Sequence, residues 1–180
     1  MNGYLRAIIA VPNGYLKLSV SKLFAKVKFG TLPRIDRLTE VSIDSGANCV
    51  IGKRFNMRRN AILRVRKGAT ITLGNNVSLG NNCIVACHDR IEIGDNVQFS
   101  PGVLLYDHDH DFRVIGGLSE GKFVSSPITI GNNVWIGANT IILKGTSIGN
   151  NCVIGAGSVI KGSYPDGSVV IQKRKTDIYT

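Results

Sequence analysis

No run of about 20 uninterrupted apolar residues, the length that a membrane-spanning helix needs, occurs in this 180-residue chain. The N-terminus also lacks a basic stretch followed by an apolar stretch and a cleavage site, which is the pattern of a secretory signal. These absences favour a cytoplasmic protein, and we expect that location. At this length the chain is expected to form one domain, with at most a short extension.

The four cysteines form no C-x-x-C pair, so the sequence gives little support for a zinc or redox motif. Three of them, Cys49, Cys83 and Cys152, stand where Val, Thr or Ser recur elsewhere in the chain. We expect them to be reduced thiols that pack as small apolar side chains. No bound metal is expected.

Acidic residues are scarce, with 12 Asp and Glu against 22 Lys and Arg, which gives a net charge of +10. Basic residues concentrate within 58–67 and at 173–175. A charge of this sign favours anionic partners such as a phosphate-rich cofactor, an acidic glycan or a membrane surface. Aromatic and basic residues do not alternate, and no known nucleic-acid module is present, so we expect no nucleic-acid partner.

An aliphatic residue recurs at every sixth position in the last third of the chain. The series is Ile130, Ile136, Ile142, Ile148, Ile154 and Ile160. Four residues after each Ile stands a small or β-branched residue, and Gly, Asn and Asp fill the positions between. A period of six is typical of a hexapeptide β-helix, in which each unit is one short strand and one corner. Such coils bury their apolar faces only by stacking on one another.

The repeat divides the chain into three segments. Hexads run from about residue 41 to 163, with a ragged first coil at 43–51 and two-residue shifts of register further on. Residues 1–40 are predicted to be an N-terminal helical or capping segment, and residues 164–180 a C-terminal tail. The predicted fold is therefore all-β, a parallel β-helix with a short helical extension and one extruded loop.

The N-terminal segment contains a candidate amphipathic helix over residues 16–27. Pro12-Asn13-Gly14 is predicted to form a turn before it, and Gly30 to end it. The helix could cover the open end of the β-helix, or its basic surface could bring the protein to a membrane face. The sequence leaves both interpretations open.

Residues 106–127 are the one long interruption of the repeat, and long loops in compact domains are usually functional or disordered. This loop carries Asp107-His108-Asp109-His110-Asp111, the one dense group of acid–base residues in the chain. A neutral histidine accepts a proton from a hydroxyl near pH 7. The cluster could also be a solvated loop or a metal site, but its position on an extruded loop favours catalysis.

Two further residues have open interpretations. Trp135, the one tryptophan, replaces a small residue, and it could pack at a coil edge or subunit contact, or form a wall of a substrate or cofactor cleft. His88, in Ala-Cys-His-Asp-Arg, could be structural or could line the cleft.

Three segments carry a resemblance to a known family over about residues 41–165. They are I-G-N-N-V-W-I-G-A-N-T after Pro127, G-A-G-S-V-I, and I-E-I-G-D-N-V-Q-F-S-P-G-V-L-L-Y-D-H-D-H. They resemble the hexapeptide-repeat O-acetyltransferases of the galactoside, maltose and nodulation type, and members found among surface-polysaccharide genes. This resemblance implies a left-handed β-helix, a homotrimer with active sites between subunits, and acetyl-CoA bound along the coils.

The resemblance also implies roles for residues. The family's catalytic histidine falls nine residues after a proline, which matches His110 after Pro101. It would take the proton of a sugar hydroxyl, whose oxygen attacks the thioester carbonyl directly, while a backbone N–H such as that of Ala138 stabilises the oxyanion. The expected acceptor-site residues are Asn82, His88, Tyr106, Asp107, His108 and Trp135. The expected cosubstrate-site residues are Trp135, Gly137, Ala138, Ala156, Lys161, Lys173 and Arg174.

Two other functions remain open. A gamma-type carbonic anhydrase-like metalloenzyme shares this fold, but it needs three histidines around one metal, and the spacing of His88, His108 and His110 does not match. A non-catalytic β-helix scaffold would leave the histidine loop without a role.

The predicted acceptor is a sugar or glycan precursor at the cytoplasmic membrane face. The sequence does not identify the acceptor or the acyl chain length, and it leaves O- and N-acetylation undistinguished.

Overall fold

The computed structural model describes residues 3–173, with side chains from residue 8 onward. Helix α1 (Gly3–Ser21) precedes a series of short strands, and a single 3-10 turn spans Gly117–Glu120. Apart from two strands of an extruded hairpin, successive strands enter three different sheets in rotation, and each pairs in parallel with the corresponding strand of the next coil. This arrangement is a parallel β-helix, and it confirms the predicted fold class.

Each sheet runs along one side of the stack. The first contains β1 (Lys26–Phe29), β4 (Asn48–Ile51), β7 (Thr70–Leu73), β10 (Arg90–Ile93), β15 (Ile128–Ile130), β18 (Ser147–Ile148) and β21 (Ser163–Tyr164). The second contains β2 (Arg34–Ile35), β5 (Asn56–Met57), β8 (Ser78–Leu79), β11 (Gln98–Phe99), β16 (Trp135–Ile136), β19 (Val153–Ile154) and β22 (Val169–Val170). The third contains β3 (Glu40–Ile43), β6 (Ile62–Val65), β9 (Ile84–Cys87), β12 (Leu104–Tyr106), β17 (Ile141–Ile142) and β20 (Val159–Ile160).

The hexad isoleucines fill the interior of the stack, as the period predicts, and all six are buried. The second inward position holds Val134, Thr140, Thr146, Cys152 and Ser158, which are also buried. The buried hydroxyls at this position form hydrogen bonds with nearby backbone carbonyls; for example, Thr146 Oγ1 donates to Leu143 O at 2.6 Å. Burying one such isoleucine contributes about 1.5–3 kcal/mol, so the stability of the stack increases with each coil.

Asparagines turn the corners of the coils. Asn76, Asn96, Asn133 and Asn151 all have φ between 56° and 58°, in the left-handed region that Asn tolerates better than most residues. Each side chain also bonds to its counterpart in the next coil, at 2.8, 3.0 and 3.2 Å along the series. The corner asparagines therefore set both the backbone turn and a polar ladder along the stack.

The stack is longer than the hexad count predicts. Strand β1 pairs with β4 from Lys26 onward, and β22 pairs with β19 through Val170. The predicted boundaries at residues 40 and 164 are therefore wrong at both ends. The first coil escapes the hexad pattern because its corners carry Thr31-Leu32-Pro33 and Asp36-Arg37 instead of the Gly-Asn pairs of the later coils.

The N-terminal helix also differs from the prediction. It runs through Pro12-Asn13-Gly14, where a turn was expected, and ends at Ser21, while Val27 belongs to β1. Tertiary contacts explain the difference. Asn13 Nδ2 donates to Ile35 O at 2.8 Å, and a Cβ on Gly14 would overlap the Pro33 carbonyl.

Helix α1 contacts all three strands of the first coil, and Leu18 is fully buried there. It therefore packs against the first coil of the stack. Within residues 3–173, no helix combines the length and the apolar content that crossing a bilayer requires.

Candidate functional site

The interruption of the repeat is an extruded hairpin, built from β13 (His108–His110) and β14 (Phe123–Ser125). Its base is tied to the stack, because the Ser126 N–H donates to Asp107 O at 2.9 Å and the Gly145 N–H donates to Ser126 O at 3.1 Å. The hairpin thus holds its side chains at a fixed place beside the third sheet.

A pocket of about 540 Å³ lies between this hairpin and the outer face of the third sheet. Its lining has two chemically different parts. The ring part consists of His88, Tyr106, His108, His110 and Phe123, and the charged part of Asp44, Arg64, Arg66 and Lys67. One pocket therefore joins proton-transfer groups to a cluster of positive charge.

The stacking of coils brings the two parts together. Strand registers align Ile43 with Val65 and Val65 with Cys87, so the residues that follow, Asp44, Arg66 and His88, form one column. The pairing of Ala86 with Tyr106 extends this column to His108.

Asp107 anchors the histidine cluster. Its side chain is 0% exposed, and its carboxylate accepts the His88 and Asp89 backbone N–H groups at 2.8 Å each. It also lies 3.0 Å from His108 Nδ1. If Nδ1 donates in this bond, Nε2 of His108 is left as the proton acceptor. The carboxylate thus fixes both the backbone below the pocket and the orientation of one imidazole.

The rings of His88 and His108 stack, with centroids 3.5 Å apart. Burial lowers the pKa of His88 below its usual value, and the nearby His108, Arg66 and His110 lower it further, against the opposing effect of Asp107. A neutral imidazole at position 88 avoids a further positive charge beside Arg66.

His110 has a different setting. It is exposed, and its ring contacts Phe123, its partner across the hairpin, with centroids 4.6 Å apart. Among residues 3–173, no protein group forms a hydrogen bond with its imidazole. Its two ring nitrogens are therefore available to a ligand or to another subunit.

Two predicted acceptor-site residues lie elsewhere on this chain. Asn82 occupies the corner before β9, whereas His88 follows β9, so the two stand at opposite edges of the third sheet. Trp135 lies on the second sheet, 55% exposed, where its Nε1 donates to Ser100 Oγ at 2.9 Å. Within one chain, neither residue lines the pocket of the histidines.

The predicted cosubstrate residues occupy the C-terminal coils. Ala138 and Ala156 stand at equivalent corners, and Gly157 N–H donates to Ala138 O at 2.7 Å. A Cβ on Gly137 would lie 2.5 Å from the Ala156 nitrogen, so glycine permits this close packing. Lys161 and Lys173 are exposed further along, and Arg174 lies outside the described residues.

The sequence showed the basic residues within 58–67, but sequence reasoning missed that they lie beside the histidines, and it missed Asp44 and Phe123. The early coils repeat every 22 residues, and this period could have predicted that Asp44, Arg66 and His88 lie next to one another, since they are one coil apart. Phe123 has no comparable signal, because its place depends on the register of the hairpin. The described residues include no group of three or more His, Cys, Asp or Glu side chains arranged to hold a metal ion.

Comparison with known proteins identifies the family to which this chain belongs. Residues 127–162 match the model described as bacterial transferase hexapeptide (six repeats). A relative named "Putative lipopolysaccharide biosynthesis O-acetyl transferase WbbJ", from Escherichia coli K12, is 31% identical over 137 residues, which cover 72% of this chain and 67% of that protein.

Solved structures agree with this result. The maltose O-acetyltransferase of Clostridium difficile 630 is 36% identical with a TM-score of 0.56, and the match covers 74% of this chain and 65% of that one. The N-acyltransferase AntD of Bacillus cereus, in complex with a dTDP-sugar and coenzyme A, has a TM-score of 0.68 at 21% identity, over 89% of this chain and 87% of that one. The second likeness shows the fold. The chain spans 42%, 39% and 56% of the length of the first curated relatives that it matches.

Proposed function

Because this chain belongs to the hexapeptide-repeat transferases, we propose that it is an acetyl-CoA-dependent O-acetyltransferase acting on a sugar or glycan precursor. The observation that carries this proposal is the pocket lined by His88, His108 and His110, two of which, His88 and His108, are held by the buried Asp107. The named activities of the relatives, which include galactoside and maltose O-acetyltransferases, support the same reaction class.

In the proposed reaction, His110 is the general base. It accepts the proton of the acceptor hydroxyl, and the oxygen forms an ester bond to the acetyl carbonyl as the C–S bond of the thioester breaks. The sulfur leaves as a thiolate, which takes up a proton. No acyl-enzyme is required, so no Ser or Cys nucleophile has a role. The match to the family motif and the open setting of its ring support His110.

The geometry supports His108 as the competing base. Its Nδ1 faces the Asp107 carboxylate, an arrangement that fixes the orientation of the ring and the direction of the opposite nitrogen. His110 depends on groups outside this chain for the same orientation. Separate substitutions of His108 and His110 therefore show which of the two is the general base.

We place acetyl-CoA along the C-terminal coils, beside Gly137, Ala138 and Ala156. At this corner, the Ala138 N–H donates to no acceptor within residues 3–173. It can therefore donate to the carbonyl oxygen that gains negative charge during transfer. Trp135, Lys161, Lys173 and Arg174 are proposed to complete the cosubstrate site.

A homotrimer with its sites between subunits would complete the acceptor pocket. Asn82 and Trp135 lie away from the histidines on one chain, so a neighbouring subunit must supply them if they act in the same site. Ile115 on the hairpin is fully exposed, and Phe112 and Leu118 are largely exposed, which fits a surface that another subunit covers.

We also propose that helix α1 touches the cytoplasmic face of a membrane. Its outer side exposes Ile8, Leu16 and Val20 at four-residue and eight-residue intervals, and exposed lysines at positions 22 and 26 follow nearby. An apolar stripe flanked by lysines suits an anionic bilayer surface. Co-sedimentation with vesicles containing anionic lipid, compared for the wild type and Leu16→Asp, tests this contact.

The deciding experiment is a calorimetric titration of the metal-free protein with acetyl-CoA. Saturable binding near one site per subunit is expected, followed by acetyl transfer to sugars in an acceptor screen. Absence of binding by folded protein would refute the transferase proposal. Metal analysis and a carbonic anhydrase assay would then test the metalloenzyme, and loss of both activities would leave a scaffold.

A further inference from the structure

We propose that the acceptor carries a phosphate group, which Arg66 binds with the help of Arg64 and Lys67 at the charged end of the histidine pocket. This inference rests on the proposed acetyl transfer and specifies its acceptor. The three basic side chains line the same pocket as the three histidines, with Asp44 as the one acidic member of that lining.

Arg66 is the central residue of this subsite. It stands in the column between Asp44 and His88, and it lines the same pocket as His108 and His110. Its Nη1 lies 3.6 Å from Asp44 Oδ1, which is too long for a hydrogen bond. The donors of Arg66 thus remain available, and a guanidinium fork matches two oxygens of one phosphate.

Arg64 is held in place before any ligand binds. Its Nε and Nη2 donate to the two carboxylate oxygens of Glu40 at 2.6 and 2.9 Å, and these bonds lower the pKa of Glu40. The remaining edge of the guanidinium lines the pocket beside Tyr106. A cation fixed in this way loses little side-chain entropy when an anion arrives.

The charge of the lining suits a phosphate. Arg64, Arg66 and Lys67 carry three positive charges against the two carboxylates of Asp44 and the Arg64-bound Glu40, which leaves an excess of one positive charge to attract a phosphate. Asp107 lies beneath the pocket, but its carboxylate is turned toward backbone N–H groups and His108. On the hairpin, the Asp109 carboxylate is paired with Lys144 at 3.0 Å.

The position along the stack favours the acceptor over the phosphates of the cosubstrate. Asp44, Arg64 and Arg66 belong to coils that precede the hairpin, whereas Ala138 and Ala156, proposed for acetyl-CoA, belong to coils that follow it. The histidines lie between the two sets. An acceptor that reaches the histidines from the N-terminal side therefore places its phosphate on the arginines.

The test is a titration of the full-length protein with inorganic phosphate at constant pH and ionic strength, observed through histidine imidazole NMR signals. We expect saturable shifts in the wild type, with the dissociation constant raised at least tenfold in Arg66→Gln and less in Arg66→Lys. The control Lys53→Gln removes an exposed charge at another corner of the same coil, and it should bind within twofold of the wild type. Circular dichroism confirms that each variant is folded.

A parallel calorimetric titration with acetyl-CoA separates the two sources of phosphate. We expect acetyl-CoA to bind wild type and Arg66→Gln equally, and phosphate to bind the acetyl-CoA complex as it binds the free protein. No saturable shift, or equal phosphate affinity in Arg66→Gln, would overturn the proposal. Weaker acetyl-CoA binding by Arg66→Gln would assign the arginines to the cosubstrate instead. If the wild type binds phosphate but not acetyl-CoA, the transferase proposal fails and the assignment to an acceptor fails with it.

Discussion

The C-terminal coils and the histidine hairpin differ in how their side chains are used. In residues 127–162 a strict hexad buries every inward isoleucine and satisfies the inward hydroxyls. In the hairpin, Phe112, Ile115 and Leu118 are exposed, and the one fully buried polar group, Asp107, stands at its base. We therefore expect the stack to determine stability and the hairpin to contribute to the proposed chemistry, so mutations should separate the two properties.

The largest expected effect is on activity without loss of stability. His110→Ala should lower kcat/KM for acetyl transfer by roughly 10²–10⁴-fold, the contribution of a positioned general base. Because His110 is exposed, the melting temperature of the His110→Ala variant should stay close to that of the wild type. Steady-state kinetics and thermal unfolding measure both quantities.

His108→Ala provides the matched comparison within the same strand. If His110 is the base, this variant should lose less activity than His110→Ala. The reverse order would assign the proton transfer to the imidazole that Asp107 orients. A loss below tenfold at both positions would contradict histidine base catalysis here.

A core substitution should show the opposite behaviour. Ile142→Ala removes a fully buried side chain from the stack and should reduce the free energy of unfolding by about 2–5 kcal/mol. Val159→Ala, in the neighbouring strand of the same sheet but 46% exposed, should cost much less. Chemical denaturation measures both, and equal losses would show that the interior of the stack is less tightly packed than its burial indicates.

Asp107→Asn tests the junction between the two regions. An amide cannot accept all the hydrogen bonds that the carboxylate receives from His88, Asp89 and His108, so we expect a loss of about 1–3 kcal/mol in stability. The pH dependence of the rate should also shift if His108 takes part in catalysis. Asp109→Asn, which breaks the ion pair between the exposed Asp109 side chain and Lys144, should change stability by about 0–1 kcal/mol.

A corner substitution tests the polar ladder. Asn133→Ala places a residue with a Cβ but no amide at φ 56°, which should cost about 1–2 kcal/mol. Asn133→Gly also loses the bonds to Asn96 and Asn151 but fits the backbone, so it should be less destabilising. Equal stabilities of the two variants would mean that the side-chain ladder, and not the backbone conformation, selects asparagine.

The contrast between the regular coils and the histidine hairpin also determines which parts of the structure the sequence could predict. Each hexad repeats one local solution, so the burial of Ile130 through Ile160 follows from periodicity alone. The first coil and α1 depend on contacts such as Asn13 with Ile35, which no local pattern encodes. The histidine run was visible in the sequence, but the contact of His110 with Phe123 requires the hairpin register, and Arg66 beside His88 requires the coil length.

The smallest predicted effect is a pH dependence carried by His88. Its pKa in the folded protein lies below the usual value of about 6.5, so the unfolded chain binds more protons in the interval between the two values. The contribution of His88 is therefore present above about pH 6.5 and is lost as the pH falls through the folded pKa. His88→Gln should flatten this part of the stability curve, whereas Lys53→Gln should leave its slope unchanged. Because Arg66 lowers the pKa of His88, Arg66→Gln should raise it, which NMR titration of the imidazole measures directly. An unchanged His88 pKa in that variant would show that the charged and imidazole parts of the pocket act independently.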